Sequence, residues 1–234
     1  MYDQHQTIRK QSAIIAGLSL LIMSIAAAFS YGFVHSSLII SGDPMTTLDN
    51  IRGSRFLFNM ETLGWLVIII TDLLVSWSFY IFLKPVHPEY SLLAGWLRLL
   101  YTAVLAIAVS HLVVANSIAD STTLLKLDVM ASQVMHSVTS FESIWSFGLI
   151  LFGLHLLVIG LVAWKAKQIP RIISVLLAAA GFSYTLIHLM YSFVPQLDHV
   201  TSSLETLLSV PMFVGELGFG LWLLIKGRKL AALN

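Results

Sequence analysis

The chain has 234 residues, 57% of them hydrophobic and 11% charged, with no cysteine and a formal net charge of +1. An ordinary soluble domain carries roughly 25% charged residues, so a chain this poor in charge, with a mean hydropathy of +0.86, reads as an integral membrane protein whose main partner is the lipid bilayer. The missing cysteines exclude disulfides, thiolate metal sites, iron–sulfur clusters and covalent c-type haem, and a charge of +1 leaves no electrostatic footprint for a nucleic-acid partner.

Crossing a bilayer as a helix takes about 20 apolar residues. The first such run covers 13–39, behind Arg9 and Lys10, and is long for a cleaved signal peptide, so it reads as a retained helix. A second run, 57–83, contains "LVIIITDLLVSWSF" with Asp72 in its middle, and a third, 92–118, contains Arg98. The stretch after it spaces Leu127, Met130, Val134 and Val138 helically opposite Lys126, Gln133 and His136, which predicts an interfacial helix over about 122–138. Further spans follow at 141–164, at 170–194 with Pro170 in the first turn, and at 207–226. The predicted fold class is all-α: a polytopic bundle of six transmembrane helices forming one domain over 1–234, with no internal repeat.

Arg9, Lys10, Lys84, Lys165, Lys167, Arg171, Lys226, Arg228 and Lys229 fall on one side of these spans, against Arg52, Arg55 and Lys126 on the other. Because basic residues in short loops stay cytoplasmic, both termini are predicted in the cytoplasm of an inner-membrane, multi-pass protein. Nothing in the pattern assigns an oligomeric state.

Polar side chains inside the spans carry the functional signal. An unpaired charge in a bilayer costs at least about 2.5–3.5 kcal/mol. At 1.5 Å per residue, Asp72 sits roughly 18 Å and Arg98 roughly 10 Å above the inner ends of adjacent antiparallel spans, which predicts an Asp72–Arg98 pair. Glu61 lies three turns from Asp72 on the same face. His111 and His188 share a similar outer depth, His155 and Glu216 lie nearer the middle, and Glu142 marks the outer end of the fourth span. The fifth span carries a polar stripe of Gly181, Tyr184, His188, Tyr191 and Pro195.

Three functions fit this pattern. The first is a small-molecule or lipid-like ligand bound in an outward-facing pocket lined by Glu61, His111, Tyr184, His188, Tyr191 and Glu216. The second is a zinc-dependent membrane hydrolase with His111, His188, Glu61 and Glu216 as ligands, although no H-x-x-x-H or H-E-x-x-H pair fixes two ligands on one helix face. The third is a scaffold whose polar groups, His155 and Glu142 among them, only hold helices together. The first and third need no cofactor; zinc serves the second, and haem between two histidines is the remaining candidate. Whether the chain is an enzyme stays open. No lysine lies deep enough for a retinal Schiff base, and neither a phosphate-binding loop nor a G-x-S-x-G elbow is present. Gly153 and Gly160, with Gly215, Gly218 and Gly220, are expected where helices touch.

The phrases "SGDPMTTLDNI", "TDLLVSWSFYIFLKPV", "AGWLRLL", "FGLHLLVIGLVAWKAKQIPRIISVLLAAAGFSY" and "VGELGFGLWLLIKG" resemble, in order and spacing, a bacterial family of multi-helix membrane proteins known only as a domain of unknown function. The resemblance covers essentially the whole chain. It rests most on Gly42, Asp43, Thr47, Asn50 and Ile51, on Asp72, Arg98, His155 and Glu216, and on the "IPRI" turn. It implies a shared architecture and carries no activity. The chain departs from the family pattern at Asn59 and Trp65, where an arginine and an acid are common, and at Ile187–His188, where an acid is usual.

Overall fold

A computed structural model describes residues 2–121 and 126–227. Every regular element among them is helical. Helix α1 (Tyr2–Ala27) runs into a π-helix (Ala28–His35) and a final turn, α2 (Ser36–Leu38). There follow α3 (Pro44–Gly53), α4 (Arg55–Leu83), α5 (Pro88–Asp120), α6 (Leu127–Lys165), α7 (Arg171–Phe193), a 3₁₀ turn (Pro195–Leu197), α8 (Asp198–Trp222) and a π turn (Leu223–Gly227). Among the described residues six stretches are long and apolar enough to cross a membrane: Gln6–Leu38, Arg55–Leu83, Pro88–Asp120, Leu127–Lys165, Arg171–Phe193 and Pro195–Gly227. The protein is therefore an all-α, multi-pass membrane protein. Arg228 and Lys229, and the 122–125 start of the expected interfacial helix, lie outside the described residues.

One boundary differs in kind. The interfacial helix and the fourth span are a single helix, α6, unbroken from Leu127 to Lys165. No glycine or proline stands between Leu127 and Phe147 to end it. The stripe of Met130, Val134 and Val138 continues through Phe141, and all four are buried against protein.

The chain divides into two compact units, one of Met1–Ile22, Thr71–Thr102 and Ser146–Asn234, the other of Met23–Ile70 and Ala103–Trp145. Helices α4, α5 and α6 contribute residues to both.

In the first unit α6 and α7 meet backbone to backbone. A Cβ added to Gly181 would lie 2.6 Å from the Gly153 carbonyl oxygen and from the Leu157 nitrogen, and one added to Gly153 would lie 2.6 Å from the Thr185 nitrogen. Lipid gives no hydrophobic drive for helices to associate, so this proximity is what supplies van der Waals attraction between them. Gly218, by contrast, faces open space, so it plays no part in the contact expected of it. At the other end of the unit Arg9 Nε donates to the Phe82 carbonyl at 3.1 Å, with its guanidinium 5.0 Å from the Phe82 ring centroid. That contact satisfies one of the orphan carbonyls ending α4.

In the second unit the loop motif "GDPMTTLDNI" becomes legible as a clamp. Gly42 takes a positive φ of 79°, which an L side chain rarely adopts, and the turn it makes aims Asp43 at the start of α3. Asp43 Oδ1 accepts from the Thr46 N–H at 3.0 Å, with Pro44 in the first helical position. Thr47 Oγ1 then accepts from the Ile40 N–H at 3.0 Å, Asn50 Nδ2 donates to the Leu38 carbonyl at 3.1 Å, and Ile51 is fully buried. The motif's polar residues thus occupy the backbone groups left free where the first span ends.

The Thr46 hydroxyl and N–H hold the Asp43 carboxyl below the usual carboxylate range. A depressed folded-state value means that the cap stabilises fully above the unfolded value of about 3.9 and is lost as pH falls through the lower folded one. Hydrogen exchange should therefore show the Thr46 amide still protected below about pH 3.9, and unprotected in Asp43→Ala at any pH. Protection lost already at the ordinary aspartate value contradicts the assignment.

Candidate functional site

The second unit holds a histidine between two carboxylates. His35 Nδ1 lies 2.7 Å from Glu61 Oε1, and His35 Nε2 lies 3.1 Å from Glu142 Oε1. The three side chains come from the first, second and fourth spans. Trp65 Nε1 also donates to Glu61 Oε1, at 3.5 Å. Glu61 is fully buried and His35 nearly so, whereas the Glu142 side chain is 42% exposed.

The π-helix builds one wall of this site. Within it Tyr31 and His35, four residues apart and so on one helix face, stack with ring centroids 5.2 Å apart at 24°. Ser36 Oγ donates to the Gly32 carbonyl at 2.7 Å and Ser37 Oγ to the Val34 carbonyl at 2.9 Å, which helps occupy carbonyls in the widened turn. Phe141 tilts against the imidazole at 5.6 Å, and Trp65 and Trp145 pack edge-on to each other at 4.9 Å beside Phe141. Apolar walls lower the local dielectric and strengthen each hydrogen bond inside.

The chemistry follows from counting protons. An ionised carboxylate only accepts, while a doubly protonated imidazolium donates from both nitrogens. Both bonds to His35 are therefore satisfied by two protons, placed either on the two ring nitrogens or on one ring nitrogen and one carboxyl. A proton shifts among these arrangements without breaking the chain, which runs from an exposed acid to a buried one.

The first unit holds a different cluster. Arg98 is fully buried; its Nε donates to Asp72 Oδ1 at 2.8 Å, its Nη2 lies 2.6 Å from the same oxygen, and its Nη1 donates to Glu216 Oε1 at 2.5 Å. Nη1 is also 3.2 Å from His155 Nε2. A guanidinium has donors only, so His155 Nε2 accepts. The ring proton then sits on Nδ1, 2.8 Å from the Ala94 carbonyl it donates to. His155 is fixed as a neutral tautomer. Phe152 and Phe79 cover the guanidinium at 5.4 and 5.8 Å from their ring centroids.

Of the residues named from sequence, the structure joins Asp72 and Arg98 and adds Glu216 and His155 to them. It joins Glu61 and Glu142 through His35. His188 Nδ1 lies 2.9 Å from Ser146 Oγ, and Tyr191 Oη donates to Glu205 Oε2 at 2.7 Å. Tyr184 stacks on His188 at 6.1 Å, and His111 is partly exposed on α5. Among the described residues no three His, Asp or Glu side chains are placed to hold a metal ion. His111, His188, Glu61 and Glu216 thus form no zinc ligand set: Glu61 faces His35, Glu216 faces Arg98 and His188 faces Ser146. A shallow cavity of about 480 Å³ lies elsewhere, lined by Ile118, Asp128, Val129, Ser132, Gln133, His136 and Ser137.

His35 is the residue that sequence reasoning misses. A usable signal exists: it stands four residues before the predicted end of the first span at 39, and Glu61 stands four residues after the predicted start of the second at 57. The two share a depth, beside Glu142 at the start of the fourth.

Comparison with known proteins adds family but no activity. A protein of Archaeoglobus fulgidus, carried there as an uncharacterized protein, is 29% identical over 181 residues, covering 75% of this chain and 92% of its own. No solved structure matches significantly. The family profile described as Domain of unknown function (DUF4386) matches residues 15–227, nearly the whole chain and every span, and the chain belongs to that family.

Proposed function

We propose that this chain is a proton-coupled membrane protein in which Glu142, His35 and Glu61 form the path of proton exchange. The observation that carries the proposal is one imidazole with each ring nitrogen within 3.1 Å of a carboxylate from a different helix. A proton taken up by exposed Glu142 passes to His35 Nε2 while the Nδ1 proton passes to Glu61 Oε1. The total is conserved and the ring ends as the opposite tautomer. Histidine and acid chains within membrane spans serve as proton relays in pumps and transporters.

The partner of the proton is read as a small or lipid-like molecule. The α7 stripe supports this, because it sets the rings of the half-buried Tyr184 and Tyr191 6.1 and 6.2 Å from the ring of the buried His188. The excess of basic residues flanking one set of span ends supports an inner-membrane location with both termini cytoplasmic. The single-domain reading is supported by α4, α5 and α6, each of which serves both units.

Stopped-flow pH jumps on the protein in lipid nanodiscs, followed by an indicator dye, test the path. Glu142→Gln should slow proton uptake by at least about tenfold, since a positioned acid or base contributes about 10²–10⁴ in proton transfer, and His35→Gln should remove that phase. A folded His35→Gln variant with unchanged uptake rate and amplitude contradicts the proposal.

A further inference from the structure

We infer that Asp72 is a second proton-binding site, separate from His35, which takes up one proton on its buried oxygen Oδ2 and returns it to water. Asp72 is the only buried aspartate among the described residues. Both of its contacts with Arg98 fall on one oxygen: Nε donates to Oδ1 at 2.8 Å, and Nη2 lies 2.6 Å from the same atom. Oδ2 is buried and has no hydrogen-bond partner among the described residues. An ionised carboxylate shares its charge between both oxygens, so Oδ2 carries part of a negative charge with no donor beside it and no exposure to water. That is the costliest condition for a buried polar atom.

The surrounding charges point the same way. Arg98 of α5 serves two acids, Asp72 and Glu216 of α8, and neither acid has another cationic partner among the described residues. His155 of α6 is held neutral by accepting from Arg98 and donating to the Ala94 carbonyl. Tyr184 of α7 and Tyr101 of α5, both packed on Phe152, offer only neutral phenols. With both acids ionised the cluster carries −1, and a proton on Asp72 makes it neutral; a net charge removed from water is costly. The Glu216 side chain is 15% exposed against 1% for Asp72, so Glu216 is the less desolvated acid and stays ionised against Arg98. Protonation of Asp72 breaks no existing bond. Oδ1 becomes a carbonyl oxygen that still accepts from Arg98, and the new O–H bond forms at Oδ2. An unpaired neutral hydroxyl costs less to bury than an unpaired charge. On release the Oδ2–H bond breaks, the proton goes to water, and the carboxylate stays bound to Arg98. None of these residues belongs to the His35 path, and the site does not depend on it.

Infrared pH titration of the full chain in lipid nanodiscs tests it, using samples labelled with ¹³C at the side-chain carboxyl of either aspartate or glutamate. A protonated-carboxyl C=O band that shifts with aspartate labelling should grow as pH falls to about 6, where exposed aspartates, with their ordinary value of about 3.9, remain ionised. The same band should keep its position under glutamate labelling, which separates it from Glu216 and from both acids of the His35 path. Asp72→Asn should abolish it. The absence of any band shifted by aspartate labelling down to about pH 6, or the survival of that band in Asp72→Asn, overturns the inference. Isotope labelling reads the proton in protein with Asp72 intact, so the result stands even if Asp72→Asn does not fold.

Discussion

Replacing Arg98 with glutamine should destabilise the protein by about 3–5 kcal/mol, the cost of removing one partner from a buried ion pair. Asp72 would keep a fully buried carboxylate whose bonded oxygen, Oδ1, receives its hydrogen bonds from Arg98 alone among the described residues. Glu216 would lose the same donor, and His155 Nε2 would be left without the N–H it accepts. Asp72→Asn should cost less, because a neutral amide tolerates burial better than an unpaired charge. In a double-mutant cycle the losses of Asp72→Asn and Arg98→Gln should fall short of their sum by about 0.5–3 kcal/mol, the range for groups in contact. Adding Glu216→Gln, which removes the last charge, should recover further stability. Thermal unfolding in one detergent reads the wild type and all four variants; strictly additive losses would deny the contact.

The second large effect is steric. Gly153→Val or Gly181→Val should each cost about 1–3 kcal/mol or more, the range for overpacking a filled interior. The atoms that a Cβ would meet at Gly181 include the Gly153 carbonyl oxygen and the Leu157 nitrogen, both at 2.6 Å. These are backbone atoms of α6, so no rotamer change relieves the clash and the helices must separate. Gly218→Ala is the control: nothing lies within 4 Å of its Cβ, and its stability should be kept or raised by up to about 1 kcal/mol through helix propensity. Equal losses at Gly181 and Gly218 would contradict the contact, because leaving glycine raises helix propensity at both positions and cannot itself produce a loss.

Spans and their order are legible in this sequence because bilayer thickness imposes a length and an apolar composition that few other structures share. The same logic limits the reading of α6. Its 127–140 portion is polar enough on one face to suggest an interfacial helix, and only its neighbours in the fold show that Val134 and Val138 face protein. Depth is also legible: the 1.5 Å rise alone puts Asp72 and Arg98 within reach. Which helices neighbour one another is not contained in periodicity, so the addition of Glu216 and His155 to that pair, and of His35 to Glu61 and Glu142, is absent from a linear reading. Nothing in "AFSYGFVH" announces a π-helix either. That geometry rests on i→i+5 bonds, which side-chain periodicity does not encode. The family motif around Asp43 looks like a candidate site in sequence and serves as a clamp in the fold, since capping and ligand binding both draw on short polar side chains.

The imidazole of His35 reports most directly on whether a proton is shared across Glu142, His35 and Glu61. Solid-state NMR of protein labelled with ¹⁵N at the histidine rings, in lipid, compares its two nitrogens. The account predicts that both carry strongly hydrogen-bonded, exchanging protons, and that Glu61→Gln and Glu142→Gln each perturb the nitrogen facing the lost acid. A His35 ring locked in one neutral tautomer, unmoved by pH and by both substitutions, would contradict it.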